Sequence, residues 1–145
     1  MADLKNIALT ADAARVLNKI AEQFPVTNRV DLARLGFAYA VRSGVELNSD
    51  LGKGSREGGA NYNSATFDPD GKMSEVVRVF FADDPRSGEP YRAIESLSNS
   101  GLILLGRHLD EGLIGSISDL IPQGPQPAGP EAVEPAEGSG GVLAR

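Results

Sequence analysis

Arg15 and Lys19 stand four residues apart in the first third of this sequence, and Arg29 and Arg34 follow in the next hydrophobic stretch. Side chains at i and i+4 of a helix point the same way, so the first pair could grip two neighbouring phosphates. Asp12 and Glu22 lie three residues from that pair, so the same face also reads as a solvated row of Asp12–Arg15 and Lys19–Glu22 pairs. Arg29 falls in the expected first turn of a second helix, where free backbone amides also bind phosphate oxygens. Lys53 and Arg56 extend from a glycine-rich segment, a placement equally suited to a nucleic-acid contact and to plain soluble loop.

Catalytic chemistry has less to work with. His108 is the only histidine, and no serine, lysine or carboxylate pattern builds a nucleophilic site around it, so it reads as a structural or surface residue. There are no cysteines, which excludes a disulfide framework, a thiolate zinc site and a thiol carrier. Gly52-Lys53-Gly54-Ser55 fails as a phosphate-binding loop, because Leu47 stands where the first glycine belongs and no Ser or Thr follows Lys53 directly. Asp68-Pro69-Asp70-Gly71 fails as an EF-hand, since the twelfth position is Val79 instead of Glu. Catalysis by this chain alone is therefore not expected, and no cofactor or metal is implied.

Charge narrows the partner. The net charge is −6, but residues 1–56 carry eight basic and six acidic side chains while residues 57–145 carry six and fourteen. Only the first third can face phosphates, and its excess is small for a nucleic-acid binder. No basic leader with an apolar run and no long apolar stretch is present, so the expectation is a cytoplasmic protein without a membrane span.

These residues need elements to hold them. At 145 residues the chain suits one domain, and its apolar spacing predicts an all-α fold of about five helices with a short extended lead-in. Thr10 is the expected N-cap of a first helix whose buried stripe is Ala13, Val16, Leu17, Ile20 and Phe24. Asn28, with Asp31 three residues on, starts a second helix that ends before Gly44 and carries small residues at Ala33, Gly36 and Ala40 for close packing. On this pattern the stretch Ile7–Gly44 is the packing centre. Residues 47–72 read as a long Gly-rich connection with little regular structure. A third helix follows, with Val76, Val77, Phe80 and Phe81 as core. A fourth carries Tyr91, Ile94, Leu97, Leu105 and His108, weakened or broken at Gly101. A final short helix is placed at Leu113–Ile121. The domain then spans 1–121, and the Pro/Gly/Glu-rich tail 122–145 is expected to be disordered.

The order of these features resembles the DndE family of DNA phosphorothioation (sulfur modification) proteins. The similar segments are Ile7-Ala8-Leu9-Thr10 ahead of two helices, Asn63-Ser64-Ala65-Thr66, the stretch Leu97-Ser98-Asn99-Ser100-Gly101-Leu102-Ile103-Leu104-Leu105, and Ile117-Ser118-Asp119-Leu120-Ile121. The resemblance implies a small helical, non-catalytic homo-oligomer that works beside other sulfur-modification subunits and binds duplex DNA, nicked DNA in particular. The matching DNA-binding positions are Arg15, Lys19, Arg29 and Arg34, with Lys53 added from the loop. Residues 7–44 alone resemble a ribbon-helix-helix regulator or antitoxin, in which the lead-in strand pairs with that of a second subunit. The acidic net charge leaves a third alternative, a scaffold or protein-interaction subunit that binds no DNA.

Overall fold

The computed structural model describes residues 3–23 and 28–115. Five α-helices and one two-stranded sheet make up the described fold, which is mostly helical. In chain order they are β1 (Asn6–Ala8), α1 (Ala11–Gln23), α2 (Arg29–Arg42), β2 (Asn61–Asn63), α3 (Ser64–Phe67), α4 (Lys72–Phe80) and α5 (Pro90–Asp110). Single 3-10 turns at Asp50–Gly52 and Pro85–Gly88 interrupt the connections. Among the described residues no helix is long and apolar enough to cross a membrane.

The centre of the fold is α5, not the Ile7–Gly44 stretch. Its residues 93–95, 97–102 and 105 are all buried, and α1, α2, α4 and β1 all pack against it. The apolar period understates this helix because its middle reads Glu95-Ser96-Leu97-Ser98-Asn99-Ser100-Gly101. Those small and polar side chains are there because backbone comes close. A Cβ at Gly101 would lie 1.7 Å from the Gly36 carbonyl oxygen and 3.1 Å from the Ala40 methyl, so α2 crosses α5 in near backbone contact. Helix α5 runs unbroken through Gly101, because tight packing there outweighs a local propensity loss of about 1 kcal/mol.

Polar groups on α5 hold the lead-in strand. The Glu95 carboxylate, only 8% exposed, accepts from the Ala8 amide at 2.9 Å and from Arg56 at 2.7 Å. Asn99, fully buried, accepts from the Thr10 amide at 2.7 Å and donates to the Ala8 carbonyl at 3.0 Å. On its other edge β1 pairs antiparallel with β2, with Ile7 opposite Tyr62, and the Leu9 amide reaches the Ala60 carbonyl at 2.8 Å. Both edges of β1 are therefore bonded within the chain, and neither is open to a strand from a second subunit. Burial of Ile7 and Leu9 completes the anchor.

Capping matches the sequence at two helices and departs at a third place. The Thr10 hydroxyl accepts from the Ala13 amide at 3.1 Å, and the Asn28 side chain accepts from Val30 at 2.9 Å. Asp31 does not complete a capping box; it pairs with Arg34 at 2.7 Å. The 47–72 connection is more ordered than its composition suggests. It contains the Asp50–Gly52 turn, β2 and α3, the last capped by Asn63 and tied down by the Ser64 hydroxyl on the Lys5 carbonyl at 2.8 Å. The pairing of β2 with β1 and the Ser64–Lys5 bond have no sequence period, since each depends on a partner distant in the chain.

The third predicted helix exists as α4 but shows a different face. Buried Asp68 accepts from the Met73 and Ser74 amides and from the Ser74 hydroxyl at 2.7 Å, which fixes Ser74 and Val77 inward. Phe80, expected in the core, is instead 66% exposed and Val79 is 72% exposed, because the turn set by Asp68 rotates them outward. The last expected helix, Leu113–Ile121, begins in residues 113–115, which form bends and not helix; the rest of it and the tail 122–145 lie outside the described residues.

The α2–α5 crossing makes a sign prediction. Helix propensity alone has Gly101→Ala stabilising by about 1 kcal/mol, whereas the added methyl against the Gly36 carbonyl should destabilise by about 3 kcal/mol. Urea denaturation of the two proteins measures which wins; a stabilised variant would contradict the crossing.

Candidate nucleic-acid interface

Helix α1 buries Ala13, Ala14, Leu17, Ile20 and Ala21, which leaves Arg15, Asn18, Lys19 and Glu22 on the solvent side. It lies close to the last turns of α5, because a Cβ at Gly106 would come within 2.8 Å of the Val16 side chain. That approach sets the α1 cations beside the end of α5. Lys19 Nζ lies 3.4 Å from an Asp110 carboxylate oxygen, not beside Glu22 as the helical spacing suggests. Arg15 pairs with Asp12 one turn back, as expected. Arg29 reaches α1 from α2, donating through Nε to the Asn18 side chain at 2.9 Å.

Two shallow depressions meet on this surface. One, of about 520 Å³, has an apolar floor that includes Val16, Ile20 and Ile103, with Arg15, Lys19 and Arg107 on its rim. The other, of about 410 Å³, is bordered by Asp12, Asp50, Lys53 and Arg107. Arg107 borders both and joins the Lys53 end to the α1 end. Lys53 pairs with Asp50 at 2.8 Å. The hydrogen bond from Lys53, reinforced by its charge, holds the Asp50 carboxyl below its ordinary range.

Three of the five predicted positions, Arg15, Lys19 and Lys53, thus border these depressions; Arg29 is exposed beside Asn18, outside both, and Arg34 lies elsewhere. Arg34 turns toward α3, donating through Nε to the Phe67 carbonyl at 2.9 Å and through a terminal nitrogen to the Thr66 carbonyl at 2.8 Å. Those are the carbonyls at the end of α3, so Arg34 closes a helix C-terminus. Arg107 is the residue that the sequence leaves unmarked, since it reaches this surface only through contacts about ninety positions apart in the chain. The pattern Ile103, Arg107, Asp110, one face of α5, is its only local signal.

Electrostatically the surface is balanced. Arg15, Lys19 and Lys53 each hold a carboxylate, and all three pairs are largely exposed. Exposed pairs of this kind contribute at most about 1 kcal/mol each, so an incoming phosphate can replace a carboxylate at small cost. Burial raises the Tyr62 hydroxyl pKa, with the positive charge of Arg29 opposing it, which places Arg29 near β2 as well as α1. His108 lies outside this arrangement; its Nδ1 is hydrogen-bonded to the Tyr39 hydroxyl and the two rings meet edge to face at 5.7 Å. Among the described residues no group of three or more acidic or histidine side chains is placed to hold a metal ion.

The geometry of Arg34 separates stability from binding. Arg34→Ala should cost about 2 kcal/mol in chemical denaturation through two charge-assisted bonds to carbonyls. Its affinity for DNA should stay within about twofold of the parent, the size expected for a residue that makes no phosphate contact. Unchanged stability with a large loss of affinity would return Arg34 to the interface. No family model matches the chain, and no curated protein or solved structure matches it either.

Proposed function

We propose that this chain is a non-catalytic DNA-binding subunit of a DNA phosphorothioation system, acting in the cytoplasm and contacting duplex or nicked DNA through the phosphate backbone. One observation carries the DNA part: Arg15 and Lys19, which the sequence resemblance marks, stand exposed on one rim with Arg107, and Arg29 is exposed nearby against Asn18 of the same helix. Their partners are exposed carboxylates or an exposed amide, so phosphates compete for them easily. The groups exposed there are cationic side-chain ends that match phosphate oxygens, which makes backbone contact the expected mode.

The phosphorothioation part rests on the resemblance, and the contacts among its segments support it. Thr10 of the first segment is bonded to Asn99 of the third, and the strand that begins the first pairs with the strand that leads into the second. Segments that carry a resemblance and also meet in space are segments the fold needs together. The engagement of His108 with Tyr39 supports a non-catalytic role. Self-association, which the resemblance also implies, has a surface in Val79 and Phe80, both largely exposed on α4.

A second reading, a protein-interaction subunit without DNA binding, is favoured by that same apolar pair and by the carboxylates beside Arg15, Lys19 and Lys53. The ribbon-helix-helix reading has no such support, since both edges of β1 are bonded within the chain. Fluorescence anisotropy with a labelled duplex separates the first two. The affinity should fall with salt at a log–log slope of about −3, for three phosphate contacts, and Arg15→Glu with Lys19→Glu should weaken binding at least about tenfold. An absence of binding at low salt would leave the interaction subunit as the reading.

A further inference from the structure

We infer that Arg107 is the principal phosphate contact of the chain, the residue on which a nucleic-acid backbone is centred. The inference rests on the DNA-binding reading and adds a residue that neither the sequence nor the resemblance marks. Three features of the surface lead to it.

The first is availability. Arg15, Lys19 and Lys53 must each release a carboxylate before they can take a phosphate, and Arg29 is engaged by Asn18. Arg107 is exposed, and among the described residues its guanidinium makes no ion pair and no hydrogen bond. Its planar fork can therefore bind two oxygens of one phosphate without a prior exchange.

The second is position. Arg107 borders both depressions, so a strand that crosses the α1–α5 seam passes it whichever neighbour it meets next, Lys53 on one side or Arg15 and Lys19 on the other. Ile103, one turn earlier on α5, lines both depressions too and offers apolar floor to a sugar ring. The third is rigidity. Arg107 projects from a helix packed along its length, whereas Lys53 projects from a loop, so less order has to be gained when Arg107 binds. Asp110 and Glu111 stand on the same rim and repel phosphate, which confines the approach to the Ile103 side of Arg107.

The test is fluorescence anisotropy of the full chain with a labelled duplex across a salt series, with thermal melts to show that each variant is folded. Arg107→Ala should weaken binding about tenfold and reduce the magnitude of the salt slope by about 1, the signature of one lost phosphate. Arg107→Lys, which keeps the charge and loses the fork, should recover part of that affinity and the full slope. Lys53→Ala should weaken binding less than about threefold, as expected where a carboxylate already competes. An Arg107→Ala protein that binds within about twofold of the parent, while Arg15→Glu with Lys19→Glu still fails, overturns the role of Arg107 and leaves the DNA-binding reading standing. A parent chain that shows no binding at low salt overturns both.

Discussion

At the crossing of α2 and α5 the Gly101 position has room for a hydrogen and nothing larger, because the Gly36 carbonyl lies where a methyl would go. That contact sets how deep α5 sits, and depth decides the rest. A helix so close to its neighbour must be lined with small residues, and the run Ser98, Asn99, Ser100, Gly101 supplies them. Once such a helix is buried, its polar groups need partners, and Glu95 and Asn99 find theirs in the backbone of the lead-in strand. Arg56 neutralises Glu95 and draws the glycine-rich loop onto the same joint. Strand, loop and two helices are thus fixed by one line of contacts along α5.

Much of this was legible in the sequence, and the gaps have physical causes. Ala13, Leu17 and Ile20 of the α1 stripe, the Thr10 and Asn28 caps and the small residues of α2 were readable because each follows from a local period or a cap chemistry, while Phe24 of that stripe lies outside the described residues. The central role of α5 was not, because a helix buried by backbone proximity carries serine, asparagine and glycine where the period looks for leucine. Phe80 was misplaced for a related reason: Val76, Val77, Phe80 and Phe81 fit an apolar stripe, but the face turned inward was chosen by Asp68 gripping Ser74. The Lys19 partner was also misjudged, since the choice of Asp110 over Glu22 depends on how α1 meets α5. Local spacing could not have said so.

The candidate interface follows from the same packing. Gly106 lets Val16 approach, and this sets the α1 cations beside the α5 terminus and Arg107 between two depressions. The sequence marks the cations but not their company, whether the carboxylates beside Arg15, Lys19 and Lys53 or the α3 carbonyls that take the Arg34 donors. Three of these cations, Arg15, Lys19 and Lys53, already hold exposed carboxylates, so under the proposed function the association would be modest and salt-sensitive.

Amide chemical-shift mapping of the full chain on addition of a short duplex locates any contact residue by residue. Shifts should concentrate at Arg15, Asn18, Lys19, Arg29 and Arg107 and leave Val79 and Phe80 unmoved. Shifts confined to α4, or none at low salt, would contradict the proposed interface.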